Sequence, residues 1–208
     1  MEDVLDVYQR PHDPQRPLIC LDETSRQVLA HTREPLPVAP GRPARHDPEY
    51  ERQGVVNCFL VSEPLRGWRQ VRLSEHRTRI DWAHCIQELV DVHYPDAEGI
   101  VLVLDQLNTH SPASLYEAFP PAEAKRLANK LELHYTPTHG SWLNIAEIEL
   151  SILARQCLNR RLHDRAMMER EVAAWAAARN GAATTIDWRF TTSDARIKLK
   201  RLYPAIHP

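Results

Sequence analysis

The chain lacks the features that would place it in several large classes. Its four cysteines, Cys20, Cys58, Cys85 and Cys157, lie far apart and form no C-x-x-C pair, which argues against a zinc knuckle or a thioredoxin-like redox site. They read as reduced packing residues. There is no H-E-x-x-H pair to hold a zinc ion, and no G-x-x-x-x-G-K-[ST] loop to cradle ATP, so an ATP-driven mechanism is not expected. No apolar run approaches the roughly 20 residues needed to cross a bilayer, and no basic segment followed by an apolar one opens the chain. A cytoplasmic protein with no membrane partner is expected. The formal net charge, −2 at pH 7, carries no global signature of a polyanionic partner.

The charge is nevertheless uneven. From Arg155 to Arg201 eleven cations stand against five acids, and such a region can neutralise phosphates, although a solvated helical face would look the same. At 208 residues and 43% hydrophobic composition, the chain can bury the core of one domain. The run Pro17-Leu18-Ile19-Cys20-Leu21 ends abruptly in Asp22-Glu23-Thr24-Ser25, as a buried strand does at a sheet edge, and Gln27 to Ala30 is read as its hairpin partner. Six prolines and glycines between Glu34 and Pro48 make that stretch an extended loop carrying Arg33, Arg42 and Arg45 at or near it. Val55 to Val61 and Trp68 to Leu73 read as two more strands of a meander, joined through Pro64 and Gly67.

From Ile80 to Tyr94 the apolar period becomes helical, and Pro95 closes it. Ile100-Val101-Leu102-Val103-Leu104 is the most apolar run, a central strand buried on both faces that ends in Asp105. Ser111-Pro112 opens a helical stretch to about Lys130, broken at Pro120-Pro121; Leu131 to Tyr135 returns to strand. Leu143 to Leu158, Met167 to Arg179 and Ser193 to Leu202 read as helices. The order specifies an α/β sheet with covered faces.

Such sheets place their sites at the carboxyl ends of strands, where Asp22 and Asp105 stand. Hard divalent cations such as Mg²⁺ take oxygen ligands and keep some waters, so carboxylates converging in a partly open site suit them. Two ions about 4 Å apart can activate an attacking oxygen and stabilise a leaving one, which is the chemistry of phosphoryl transfer.

Two segments carry a resemblance. Leu104-Asp105-Gln106-Leu107-Asn108-Thr109-His110 and His134-Tyr135-Thr136-Pro137-Thr138-His139-Gly140-Ser141-Trp142-Leu143-Asn144-Ile145-Ala146-Glu147 resemble the second and third acidic blocks of bacterial insertion-sequence transposases. Leu21-Asp22-Glu23-Thr24 resembles the first block. Trp188-Arg189-Phe190-Thr191-Thr192 and Ala195-Arg196-Ile197-Lys198-Leu199-Lys200 resemble the family's end, so the likeness covers nearly the whole chain. The family is that of the DDE transposases of the insertion-sequence family numbered six-thirty, within the Tc-one/mariner superfamily.

The resemblance implies a ribonuclease-H-like mixed sheet with helices on both faces. It implies a catalytic core over residues 1–160 and a basic helical extension of the same domain over 161–208. Asp22, Asp105 and Glu147 take the catalytic, metal-ligating roles, holding two Mg²⁺ ions for which Mn²⁺ can substitute, with Asp22 shared between them. The implied reaction is hydrolytic cleavage at transposon ends, then attack of the released 3′-hydroxyl on target DNA. The implied partners are DNA, as transposon ends and target, and a second copy in a homodimer on DNA, with the protein nucleoid-associated when bound. Family members carry an upstream helix-turn-helix region, and this chain starts just before the first catalytic strand. The expectation is a downstream frame of a split element, a truncated relic, or the catalytic half of a frameshift fusion whose partner is the helix-turn-helix product. Gln106 stands where relatives usually have Asn, and the Asp105-to-Glu147 interval is wider than in mariner-type relatives. Two alternatives are a ribonuclease-H-like nuclease without strand transfer and a catalytically silent DNA-binding remnant.

Ala146-Glu147-Ile148-Glu149 offers two candidates for the third acid, about 160° apart around a helix axis, so one site receives only one of them. Glu147 sits at the margin of the apolar stripe Leu143, Ala146, Leu150, Leu153 and Cys157, beside Asn144, Ser151 and Arg155. Glu149 shares a narrow polar strip with Gln156, between the main stripe and the second apolar row of Ile145, Ile148 and Ile152, where a structural or pairing role is expected, and its conversion to Gln is expected to retain most of the cleavage in a folded protein. The resemblance independently favours Glu147. His110, His134 and His139 are expected to orient loops or contact phosphate, and Trp142 to stack or wedge at DNA. Glu23 points to the face opposite Asp22, so its role is structural or exposed.

Overall fold

The computed structural model describes residues 1–45 and 47–203; the last five positions of the expected C-terminal extension lie outside the described residues. Five strands form one mixed sheet in the order β3-β2-β1-β4-β5, with β1 Leu18–His31, β2 Tyr50–Glu63, β3 Trp68–Ser74, β4 Ile100–Leu104 and β5 Leu131–Tyr135. The first three are antiparallel neighbours, whereas β4 and β5 run parallel to β1. All five residues of β4 are buried, as expected of a parallel strand covered on both faces.

One expectation fails at β1. The Gln27 to Ala30 stretch does not fold back as a hairpin; it continues the strand that begins at Leu18, and β2 pairs with it to His31. No glycine or proline stands between Asp22 and Gln27 to make a turn, so the polar residues there extend the strand. The turn to β3 falls at Gly67, with φ +70°, where a Cβ would meet the Ala183 backbone at 2.5 Å.

Helix α1, Glu2–Tyr8, occupies what reads in sequence as a polar start; Val4, Leu5, Val7 and Tyr8 are buried. Helix α2, Arg79–Glu88, opens with a Thr78–Asp81 capping box and ends in a π turn, Leu89–His93. Helices α3, Pro112–Ala118, and α4, Pro121–Asn129, each begin with proline in the first turn, which divides the expected stretch where Pro120-Pro121 stands. A short 3₁₀ turn, Ser141–Leu143, precedes α5, Ala146–Leu153, which runs on as a π turn, Ala154–Leu158. The last helices are α6, Arg165–Gly181, capped by Asp164, and α7, Thr192–Lys198, capped by Thr191.

Strand alternation sorts the core into two layers. Leu18, Cys20, Val101 and Val103 face α1, α5, α6 and α7, while Ile19, Leu21, Leu102 and Leu104 face α2, α3 and α4. Residues of α6 and α7 pack in the same layer as those of α1 and α5. Among the described residues no helix is long and apolar enough to cross a membrane. All four cysteines are buried and free. The proline-rich stretch between β1 and β2 remains a loop, closed on itself by the bridges Leu36–Arg45 and Ala39–Arg42.

Candidate active site

Register brings the first two acids together. Leu18, Ile19 and Cys20 pair with Val101, Leu102 and Val103, and Asp22 and Asp105 each stand two residues beyond the last of these pairs, Asp22 within β1 and Asp105 just past the end of β4. Neighbouring strands lie about 4.8 Å apart, and level residues on parallel strands share a face. That face is the one on which α5 packs, and Glu147 stands exposed in the first turn of α5.

The electrostatics record the convergence. Burial pushes the Asp22 carboxyl up to about 7, against the hydrogen bond it accepts from the Glu23 N–H at 2.8 Å, and the charges of Glu147, Glu23 and Asp105 add to the rise. Asp105 is held below its usual range, first by a 2.7 Å hydrogen bond from His110 Nδ1 and also by the Leu107 N–H. Burial would lower the His110 imidazole, yet Asp105 and Glu23 outweigh it and lift the group to about 9. Its Nε2 lies 3.2 Å from Glu23 Oε2, close enough for an ion pair but not aligned as a hydrogen bond. Glu23 thus points away from Asp22 and is structural rather than exposed: its side chain is 4% accessible.

The donor set suits a hard divalent cation. The charges of Glu147 and Asp105 both act on Asp22, no cationic side chain pairs with Asp22 or Glu147 among the described residues, and both nitrogens of His110 face carboxylates. Among the described residues no three His, Cys, Asp or Glu side chains already surround one point as metal ligands. Bringing the carboxylates closer requires positive charge between them. One prediction follows from this repulsion. The folded state raises the Asp22 pKa from 3.8 to about 7, so it binds more protons than the unfolded chain, and metal-free stability falls as pH rises through that window. At pH 8 Asp22→Asn is expected to stabilise the metal-free protein by about 2 kcal/mol, raising Tm by about 4–8 °C. A melting temperature equal to or below that of the parent at pH 8 would refute it.

Beside Asp105 opens a cleft of about 300 Å³ lined by Gln106, Leu107, Thr136, Thr138, His139 and Ser141, among others. His139, on its rim, has φ +61°, a left-handed conformation uncommon outside glycine. Trp142 is 46% exposed and makes a T-shaped contact with Phe190. His134 pairs with Val103 on the neighbouring strand and is held by Asp3 and Glu132, not by Asp22, Asp105 or Glu147.

Two sequence expectations need correction. Glu149 does not lie in a narrow polar strip: it is wholly buried, bound by Arg69 at 3.2 Å and by Arg179 at 2.8 Å. The pairing role holds, but its partners come from β3 and α6, which helical periodicity cannot reveal. The basic tail is also less available than its charge count suggests. Arg160, Arg165, Arg179, Arg189, Arg196 and Lys198 make ion pairs, and Arg161 binds the carbonyls of Pro48 and Glu49. Arg155, Arg170, Lys200 and Arg201 have no such partner among the described residues.

The fold matches solved structures of the Mos1 mariner transposase. A paired-end complex with the left transposon end aligns with TM-score 0.58 at 15% identity, over 87% of this chain and 55% of that one. A paired-end complex with Mn gives TM-score 0.54 at 14% identity over the same shares, and a strand transfer complex gives 0.51 at 14%, over 84% and 51%. The chain therefore spans about half the length of these transposases, and the likeness is one of fold, a ribonuclease-H-like mixed sheet. No curated protein sequence matches. The family profile described as DDE superfamily endonuclease covers residues 17–169, a span that begins at β1, includes Asp22, Asp105 and Glu147, and ends in α6. The chain belongs to the DDE superfamily endonuclease family.

Proposed function

We propose that the chain is the catalytic domain of an insertion-sequence transposase of the six-thirty type, in which Asp22, Asp105 and Glu147 hold two divalent cations, Mg²⁺ or Mn²⁺. The observation that carries this reading is that Asp22 and Asp105 each stand two residues beyond the last β1–β4 pair while the charges of Glu147 and Asp105 act on Asp22. Cations held there would lower the pKa of an attacking oxygen and stabilise the leaving one. The chain's own residues supply the rest. His110 fixes the carboxylate of Asp105, which lines the cleft. The cleft offers hydroxyl, amide and imidazole groups to a DNA strand, and the exposed Trp142 offers an indole for stacking. Unpaired Arg155, Arg170, Lys200 and Arg201 suit contacts to phosphates.

Water attacks a phosphodiester at the transposon end and leaves a 3′-hydroxyl and a 5′-phosphate. That hydroxyl then attacks a target phosphodiester, one P–O bond forming as another breaks, with no ATP required. A homodimer on DNA, joined by an upstream helix-turn-helix product, completes the proposed assembly, which acts in the cytoplasm at the nucleoid.

The test is Mn²⁺- or Mg²⁺-dependent nicking of transposon-end DNA by the parent and by Asp105→Asn. The substitution is nearly isosteric but withdraws an anionic ligand, and about a thousandfold loss is expected in a protein that still folds, with a lower Tm because the buried His110 loses one of its two carboxylate partners. Undiminished nicking by the folded variant would overturn the assignment. Appearance of joined product in the same reaction separates a transposase from a nuclease that only cuts.

A further inference from the structure

The turn that delivers Glu147 is gripped by two buried side chains. Asn144, 1% exposed, donates from Nδ2 to the Leu21 carbonyl at 2.8 Å and accepts at Oδ1 from the Ala146 N–H at 3.1 Å. Its two partners immediately precede Asp22 and Glu147. Its backbone carbonyl also accepts from the Glu147 N–H at 3.1 Å. From α1, the Tyr8 hydroxyl donates to the Leu143 carbonyl at 2.7 Å and accepts from the Ile145 N–H at 3.3 Å. The Tyr8 ring rests against Trp188, 5.2 Å between centroids. Helix α5 has no side-chain cap from its own N-cap residue, Ile145, so Asn144 and Tyr8 serve N–H groups that its first turn leaves open.

We propose that Asn144 and Tyr8 are positioning residues that set Glu147 in its place relative to Asp22, with Asn144 fastening the third-acid helix to β1 and Tyr8 locking the preceding turn. The inference rests on the reading that the three acids hold cations. Each side chain uses both its donor and its acceptor within a buried site, so water cannot substitute, and only an amide fits between a carbonyl on one side and an N–H on the other. An error of about 1 Å in the place of a reacting group can cost about a hundredfold.

The experiment compares Mn²⁺ binding, by the electron paramagnetic resonance signal of free Mn²⁺ below the melting transition, in the parent, Asp105→Asn, Tyr8→Phe, Asn144→Ala and Val90→Ala. Val90 is a buried residue on the opposite face of the sheet and controls for simple loss of stability. Asn144→Ala is expected to weaken binding about 10- to 100-fold and Tyr8→Phe several-fold, the range typical of residues that orient metal ligands, while Val90→Ala lowers Tm without changing affinity. Tyr8→Phe removes a single hydroxyl and carries the test if Asn144→Ala does not fold. Parent-like affinity in folded Tyr8→Phe and Asn144→Ala would overturn the positioning role alone. Equal binding by the parent and Asp105→Asn would overturn the three-acid reading and the inference with it.

Discussion

Glu147→Gln is expected to reduce metal-dependent DNA cleavage by about a thousandfold or more while leaving the protein folded. A carboxylate that holds a cation at a developing charge supplies several kcal/mol, and the amide keeps the shape without the charge. Among the described residues the Glu147 side chain makes no ion pair or hydrogen bond, and it is exposed, so its replacement breaks no structural contact. Removing its charge also relieves Asp22, whose carboxyl it pushes upward. Tm is therefore expected to stay level or rise in the metal-free protein. A loss of cleavage accompanied by a fall in Tm would point to a structural role and against the ligand assignment. The cleanest reading comes from measuring both quantities on one preparation, with Mn²⁺ titrated to saturation.

The acids and their strands were legible because their signals are local. An apolar run ending in a carboxylate predicts a strand that delivers it at its carboxyl end; Asp105 follows that rule just past β4, whereas Asp22 lies within β1, which runs on to His31. The order of apolar periods was enough for an α/β sheet with covered faces, and the resemblance of the acidic blocks implied its ribonuclease-H-like form. What failed depends on distant partners. Helix α1 reads as polar because only four of its seven residues face the core, and partners such as the Leu143 carbonyl, bound by the Tyr8 hydroxyl, lie more than a hundred positions away. The length of β1 is hidden because Asp22 to Gln27 is as polar as a turn, and only the pairing with β2 makes it strand. The basic tail was overcounted for a similar reason: Glu2 for Arg196 and Glu149 for Arg179 are invisible to a local tally of charge. His110 is singled out in the sequence as a loop-orienting histidine, and its bond back to Asp105 five residues earlier fits that reading, whereas Glu23 on its other side has no local signal.

Glu149→Gln is expected to destabilise the protein by about 3–5 kcal/mol, the cost of leaving buried charges without their partner. Glu149 is fully buried and Arg69 is 1% exposed, whereas Arg179 retains some contact with solvent. The Arg69 guanidinium also donates to the Gly67 and Thr184 carbonyls at 2.9 and 2.8 Å, and Asn180 brackets its backbone, so it cannot swing out to water. Burial already holds its pKa below the usual arginine value, and the Glu149 charge opposes that shift. A glutamine would turn an NH₂ toward one of two guanidinium groups, setting donor against donor. The network joins β3, α5 and α6. For a chain of this length the loss corresponds to a Tm about 10 °C lower or more, a large share of the total stability of a typical domain. Well below that temperature, cleavage per folded molecule is expected to stay close to that of the parent, because the Glu149 carboxylate is enclosed by arginines and takes no part in the acidic cluster. Adding Arg179→Met to Glu149→Gln removes one of the two stranded charges and is expected to recover part of the loss, the coupling that a double-mutant cycle measures. An unchanged Tm in Glu149→Gln with cleavage abolished would instead make Glu149 the third ligand and require α5 to be turned about its axis.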